Sequence, residues 1–586
     1  MERKNRRITL LFCLATIGST QAQPYTEQGK LGDPGSWRSA EFNAEWGLGA
    51  IHADDAYAAG YTGKGIKLGI FDQPVYAGHP DFASGNKVIN LVTQGIREYT
   101  DPYIPVKRGD AFIYDGSPSV GSDGKLGSHG THVGGIAAGP RNGNAMHGVA
   151  FDAQIISADN GDPGPEDGII LGNDGAVYQA GWNALVASGA RIINNSWGIG
   201  ITDKFAKGGR DPAYPHFTVD DAQKQFDQIK LILGTKPGGA YQGAIDASRS
   251  NILTIFAAGN DYNLNNPDAM GGLAYFVPDI APNWLTVASL ARDNASSNVV
   301  PYTISSFSSR CGYTASFCVS APGSAIYSTV INGTSSEDLT TGYGNKSGTS
   351  MAAPHVAGSA AVLMQRFPYF SAAQISDVLK TTATDIGAPG IDALYGWGMI
   401  NLSKAINGPG MFITEQDIPA EFRIPDPEGL AYGTGQFVAN LPGIGAVLDA
   451  GKPTQRICDD VHCGVDIWSN DISGHGGLTK EGVGALVLTG NNTYSGPTWV
   501  NQGLLAINGS LTSDVSVQSG GIIGGAGTLG SLHALSGGTV APGNSIGTLN
   551  VTNNVSFDAG SRYAVEVDNN GNSDRIQSAG TATLNG

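Results

Sequence analysis

The chain has 586 residues, of which 15% are charged and 85 are glycine, and it carries a formal charge of -17 at pH 7. That length exceeds one ordinary domain, the glycine is too aperiodic for a collagen-like helix and too mixed with apolar runs for a disordered chain, and the acidic balance argues against a nucleic-acid partner, which would need a basic face. What remains is a turn-rich protein with one large core and a second unit attached.

At the N-terminus, Arg3, Lys4, Arg6 and Arg7 precede an apolar run over 8–17 and then Thr20-Gln21-Ala22. This reads as a secretory signal over 1–22, cleaved after Ala22. Phe12 is too large for the small residue expected before a lipid-bearing cysteine, so lipidation at Cys13 is the weaker reading. Without Cys13, four cysteines fall into two local pairs, Cys311 with Cys318 and Cys458 with Cys463. In an exported protein such pairs predict two local disulfides. His462 lies inside the second loop, but one short Cys/His loop is half of a metal site at most. No other run is long and apolar enough to cross a membrane as a helix. Residues 23–45 are polar and aperiodic, an N-terminal extension.

From Trp46 the pattern changes. It predicts a short helix over 51–59, a turn at Gly60-Tyr61-Thr62-Gly63-Lys64-Gly65, and a buried strand over 66–71 that ends at Asp72. In a doubly wound sheet, functional groups gather at the carboxyl ends of strands, although an isolated aspartate there is more often a turn residue. Gly127-Ser128-His129-Gly130-Thr131-His132-Val133-Gly134-Gly135 is a glycine-rich entry into a small-residue helix, with His129 at the entry and His132 about one turn on. Two histidines three apart without the glutamate of a metalloprotease helix give no metal assignment.

The alternation continues with a strand over 153–158, a helix over 176–188 and a strand over 191–195. Ser196-Trp197-Gly198 then forms an extended segment able to pair with a substrate backbone. Residues 159–174 are rich in acids and glycine but lack calcium-loop spacing, so a structural calcium has no support. After an insertion-like stretch over 199–224, a strand over 252–258 ends in Gly259-Asn260, whose amide is either an oxyanion donor or a plain turn residue. Gly348-Thr349-Ser350-Met351-Ala352-Ala353-Pro354-His355-Val356-Ala357-Gly358 puts Ser350 at the start of a helix, with Pro354 expected in its first turn. A developing anion there would be stabilised by the helix dipole and free N–H groups. Ser371 and Gln374 predict a capping box for a helix over 372–382, and Gly396-Trp397-Gly398-Met399-Ile400-Asn401 closes a unit over 46–407.

Amide hydrolysis at neutral pH needs a hydroxyl activated by an imidazole, a carboxylate to hold that imidazole, and a donor for the oxyanion. Asp72, His129, Asn260 and Ser350 supply all four, and with their flanking strings they resemble the subtilisin-like serine proteases. The resemblance implies an α/β fold with a doubly wound, mostly parallel sheet. It further implies Ser350 as nucleophile, His129 as base, Asp72 as its orienter, Asn260 with the Ser350 N–H as oxyanion hole, substrate along Ser196, Trp197 and Gly198, and no cofactor in catalysis. One departure stands out. The family follows its aspartate with a small residue and glycine, whereas Asp72 is followed by Gln73-Pro74, although Val75 and His79-Pro80-Asp81-Phe82 keep the register. Gln73 therefore bears on the fine geometry around the base.

Beyond Asn407, Ile418-Pro419 and Ile424-Pro425-Asp426-Pro427 suggest a linker over 408–471. Short strands over 485–490, 498–500, 504–507, 515–517 and 548–551, punctuated by glycine and asparagine, predict rungs of a parallel β-helix over 472–586, with a β-sandwich as the alternative. Gly477-Leu478-Thr479-Lys480-Glu481-Gly482, Gly490-Asn491-Asn492-Thr493-Tyr494-Ser495-Gly496 and Pro542-Gly543-Asn544-Ser545-Ile546-Gly547 resemble the passenger-associated repeats of bacterial autotransporters. That resemblance implies export through the periplasm of a Gram-negative bacterium to the cell surface or medium, and a membrane contact only through a barrel beyond this sequence. The pattern is still running at Gly586, as expected of part of a longer precursor. The combined expectation is a serine endopeptidase acting on proteins or peptides. A non-enzymatic adhesin or binding scaffold is the alternative, and the intact Asp72, His129, Asn260 and Ser350 count against it. Cleavage specificity and oligomeric state stay open.

Overall fold

The computed structural model describes residues 29–83, 85–98, 100, 107–121, 123–161, 175–198, 217–232, 239–261, 265–293, 301–443 and 464–585. The signal segment and the Cys458 with Cys463 pair lie outside these residues.

Seven parallel strands build the central sheet: β1 (Lys67–Asp72), β2 (Val88–Asn90), β3 (Gln154–Asp159), β4 (Ile192–Asn195), β5 (Leu253–Ala257), β6 (Trp284–Arg292) and β7 (Cys318–Pro322), in spatial order β7-β6-β5-β4-β1-β3-β2. Tyr302–Ile304 adds an antiparallel edge to β6. The side-chain period of two sorts each strand between two cores. Leu68, Ile70, Ile155, Ile192, Leu253 and Ile255 face one cluster, while Phe71, Ile156, Ala158, Ile193 and Phe256 face the other. Four helices matter here: α1 (His129–Ala138), α2 (Gly175–Ala187), α3 (Thr349–Arg366) and α4 (Ala372–Thr381). Apolar side chains of α1 and α3 fill the first core, and those of α2 fill the second. β1 has β3 on one side and β4 on the other, so the connections diverge around it. The crevice at its carboxyl end is the switch point where such sheets place their chemistry.

The predicted elements are observed with ends shifted by a residue or two, and the Ser371/Gln374 capping box is present. Cys311 and Cys318 form a disulfide with Cα atoms 5.7 Å apart. The sequence reading needs correction in three places. Residues just before Trp46 belong to the core of the α/β unit: Phe42 is buried, and Glu45 caps the next short helix through Gly47 and Leu48 N–H while facing His355 Nε2 at 3.1 Å. Pro354 is the sixth residue of α3, well inside the helix. The stretch over 408–471 is also no mere linker, because Gln436–Asn440 and Val465–Trp468 already pair in parallel with Gly477–Glu481 and Ala485–Leu488.

The tail is a parallel β-helix of three sheets with seven, six and five strands. In the longest sheet the register runs through Leu478, Thr498, Val515, Leu532, Val555 and Ala582. Because the strands of all three sheets pair in parallel, the sandwich alternative is excluded. Its first turns join the core of the α/β unit without a break: Phe370 meets Phe437 and Trp468, and Phe412 meets Phe437 and Tyr494, in one continuous cluster. At the end of α3, Arg366 Nη2 donates to Asp466 Oδ1 at 2.6 Å, and the Tyr369 hydroxyl donates to Asp466 Oδ2. Burial lowers the Arg366 pKa, but the Asp466 charge more than offsets it, so the guanidinium stays charged.

Candidate active site

Asp72 closes β1 in the crevice, and His129 opens α1 beside it. The Nδ1–H of His129 donates to Asp72 Oδ1 at 2.7 Å, with 16% of the histidine side chain and 3% of the aspartate side chain exposed. This bond fixes the tautomer and leaves Nε2 as the ring's acceptor. The dry carboxylate is buried against the sheet, and the ring reaches toward solvent. His132, one turn further, faces away: its Nε2 lies 3.1 Å from the carbonyl oxygens of Ile326 and Gly344, and burial pushes its pKa down to about 3. It is thus neither a base nor a metal ligand in this arrangement.

Ser350 is the second residue of α3, and 8% of it is exposed. Its Oγ donates to the carbonyl of Ser196 at 2.9 Å, and Ser196 Oγ donates back to the carbonyl of Ser350 at 2.8 Å. The second bond follows from Pro354. In a regular helix, the N–H four residues on would take the Ser350 carbonyl, and proline has none. The freed carbonyl is instead bound by the segment leaving β4. A proline in the interior therefore ties the serine to the neighbouring strand, where the sequence suggested only a first-turn residue.

Asn260 follows β5 and is exposed. Its Oδ1 accepts from Thr349 N at 2.8 Å and Thr349 Oγ1 at 2.9 Å, while Thr349 Oγ1 accepts from Gly259 N at 3.2 Å. Two donors on one oxygen fix the orientation of the amide and leave the NH2 group for the cleft. Of the substrate-segment residues, Ser196 is engaged with Ser350. The Trp197 ring turns inward: its Nε1 donates to Phe71 O at 2.8 Å and its rings pack on Tyr178 and Phe256. The main chain is what the segment offers to the crevice. Sequence reasoning missed Thr349, although it lies within the quoted string, and it left Gln73 unresolved. Residues 162–174 of the acidic loop lie outside the described residues, and among the described residues no group of three or more His, Cys, Asp or Glu side chains is arranged to hold a metal ion.

The pattern of the Subtilase family matches residues 63–398, a span that contains Asp72, His129, Asn260 and Ser350. The chain belongs to the subtilase family. This subtilase also matches a passenger-associated-transport-repeat over residues 478–507, within the β-helix. It is 45% identical over 618 residues to an extracellular serine protease of Serratia marcescens, across 99% of this chain and 54% of that protein. It is 28% identical over 517 residues to the Neisserial autotransporter lipoprotein NalP of Neisseria meningitidis, across 83% of this chain and 42% of that protein. Among solved structures, fervidolysin from Fervidobacterium pennivorans aligns with a TM-score of 0.42 at 24% identity, over 66% of this chain and 50% of that one. The subtilase spans about half the length of the curated relatives it matches. No helix among its described residues is long and apolar enough to cross a membrane.

Proposed function

We propose that the protein is a secreted or surface-displayed serine endopeptidase that cleaves proteins or peptides through an acyl-enzyme. The observation that carries this reading is the 2.7 Å bond from His129 Nδ1 to Asp72; Ser350 stands at the start of α3. In the reaction, the Ser350 hydroxyl turns from the Ser196 carbonyl toward His129 Nε2 and gives its proton to that nitrogen as Oγ attacks the scissile carbonyl. Asp72 holds the ring and stabilises the imidazolium that forms. The oxyanion is met by Asn260 Nδ2 and the Ser350 N–H at the positive end of α3. His129 then returns the proton to the leaving amine as the C–N bond breaks, and a water deprotonated by the same ring attacks the acyl-enzyme, releasing the acid and restoring the Ser350 hydroxyl. The extended main chain at Ser196, Trp197 and Gly198 pairs with the substrate backbone, which favours peptides over small esters. Neither a metal nor a cofactor enters these steps. Relatives described as extracellular and as autotransporters support export from a Gram-negative cell.

The test is labelling of the exported protein with a fluorophosphonate probe, beside Ser350→Ala and a casein digestion assay. Labelling that disappears in the variant, together with digestion by the wild type, is the expected result. Folded wild-type protein that neither labels nor digests would leave the binding-scaffold reading in its place.

A further inference from the structure

We propose that Gln73, the residue at which this chain departs from the family pattern, is a positioning residue that locks the base to the acid. The first N–H groups of a helix have no partner within it. The residue before α1 does not supply one: Ser128 makes no side-chain cap, and its Oγ accepts from Ile331 N at 3.0 Å. The cap comes from Gln73, whose Oε1 accepts the His129 N–H at 3.1 Å. Gln73 N–H donates to Asp72 Oδ1 at 2.8 Å, the same oxygen that receives the His129 ring. One buried residue, 5% exposed, thus holds the acid by its main chain and the base by its side chain. Pro74 supports this, because a residue before proline is confined to extended backbone. The contact also depends on Gly130, where a Cβ would lie 1.7 Å from the Gln73 carbonyl oxygen, and on Gly127, where one would lie 2.7 Å from Oε1. Asp72 Oδ2 is buried and has no hydrogen-bond partner among the described residues, so there the acid is held through Oδ1.

If Gln73 acts in this way, its loss should affect turnover and leave substrate binding intact. The inference rests on the protease reading, so the experiment has an arm that does not need turnover. The full chain is prepared as Gln73→Ala, Gln73→Asn and Gln73→Glu, each with Ser350 intact and with Ser350→Ala. In the Ser350→Ala background, the low-field proton resonance of the His129 Nδ1–H reports the bond to Asp72 directly. It should broaden or move upfield in Gln73→Ala and stay in place in Gln73→Glu, which retains an oxygen at the same reach. With Ser350 intact, Gln73→Ala should lower kcat about ten- to a hundred-fold with KM within about twofold, the scale expected when a catalytic group loses its placement. Gln73→Asn, one methylene short, should not rescue it. Gln73→Glu should recover most of kcat and move the acid limb of the kcat/KM profile to higher pH by about one unit, because it adds a negative charge beside the pair. The proposal is overturned if Gln73→Ala keeps both the resonance and kcat. It is equally overturned if activity falls only in step with folded protein and the Gln73→Glu profile does not move. Should the wild type prove inactive, the resonance alone still decides whether Gln73 holds the pair.

Discussion

At the scale of single residues, Asn260 and His132 separate chemistry from structure. Asn260 is exposed and oriented by Thr349, so Asn260→Ala should fold normally and lose about a hundred- to a thousand-fold in kcat, the range for such a donor in subtilisin. An unchanged kcat would remove it from the oxyanion site. His132 works in the opposite way. Folded, it remains neutral down to about pH 3, whereas unfolded it takes a proton below its ordinary 6.5. The unfolded chain therefore binds the extra proton between those values. Its share of stability is complete above pH 6.5 and is lost as pH falls toward 3, with a slope of at most about 1.4 kcal/mol per unit. Thermal melts of His132→Gln across that window should show a shallower acid loss than the wild type, and parallel curves would refute the assignment. Asp72, His129 and Ser350 stand out in the sequence because each sits in a short string whose neighbours are local. What Gln73 does is not legible there, because its partner N–H lies 56 residues away and only the fold brings them together.

Between neighbouring elements, the reciprocal bonds of Ser196 and Ser350 join the end of β4 to the start of α3. Ser196→Ala removes the donor to a carbonyl that Pro354 has already deprived of its helical partner. A buried carbonyl left in this way costs about 1–3 kcal/mol. Chemical denaturation should register that loss, and kcat should fall with it because the serine's helix is no longer tied to the sheet. A variant equal to the wild type in both would show that the bond is incidental. The sequence located α3 and Pro354 without revealing this link, since the rule that proline belongs in a first turn is a rule about isolated helices. Here the tertiary partner supplies what proline withholds. The same limit applied at Glu45, a polar residue in an aperiodic stretch until α3 brings His355 within 3.1 Å of it.

For the molecule as a whole, the catalytic unit and the β-helix share one core, and Arg366 with Asp466 lies within it. Asp466→Ala strands a buried guanidinium and the Tyr369 hydroxyl, a loss of about 3–5 kcal/mol for a buried pair broken from one side. Calorimetry should show a lower transition, and an unshifted one would mean that the pair is relaxed by solvent. Deleting residues 472–586 should reduce the yield of active enzyme, since Leu478, Leu486 and Tyr494 belong to the same apolar cluster as Phe370. The repeat strings made the β-helix readable from the sequence. Its first strand was not, because Gln436–Asn440 is short and its pairing partner begins only at Gly477.

The junction has one more consequence, on an evolutionary timescale. Asp466, Trp468 and Phe437, which meet the catalytic unit, all lie in the first turn of the solenoid. Each later strand takes its register from the strand before it. Rungs far from this junction can therefore be gained, lost or exchanged without touching Asp466, Trp468 or Phe437. The length of the β-helix and the residues of the crevice can then vary as two separate traits carried on one continuous core.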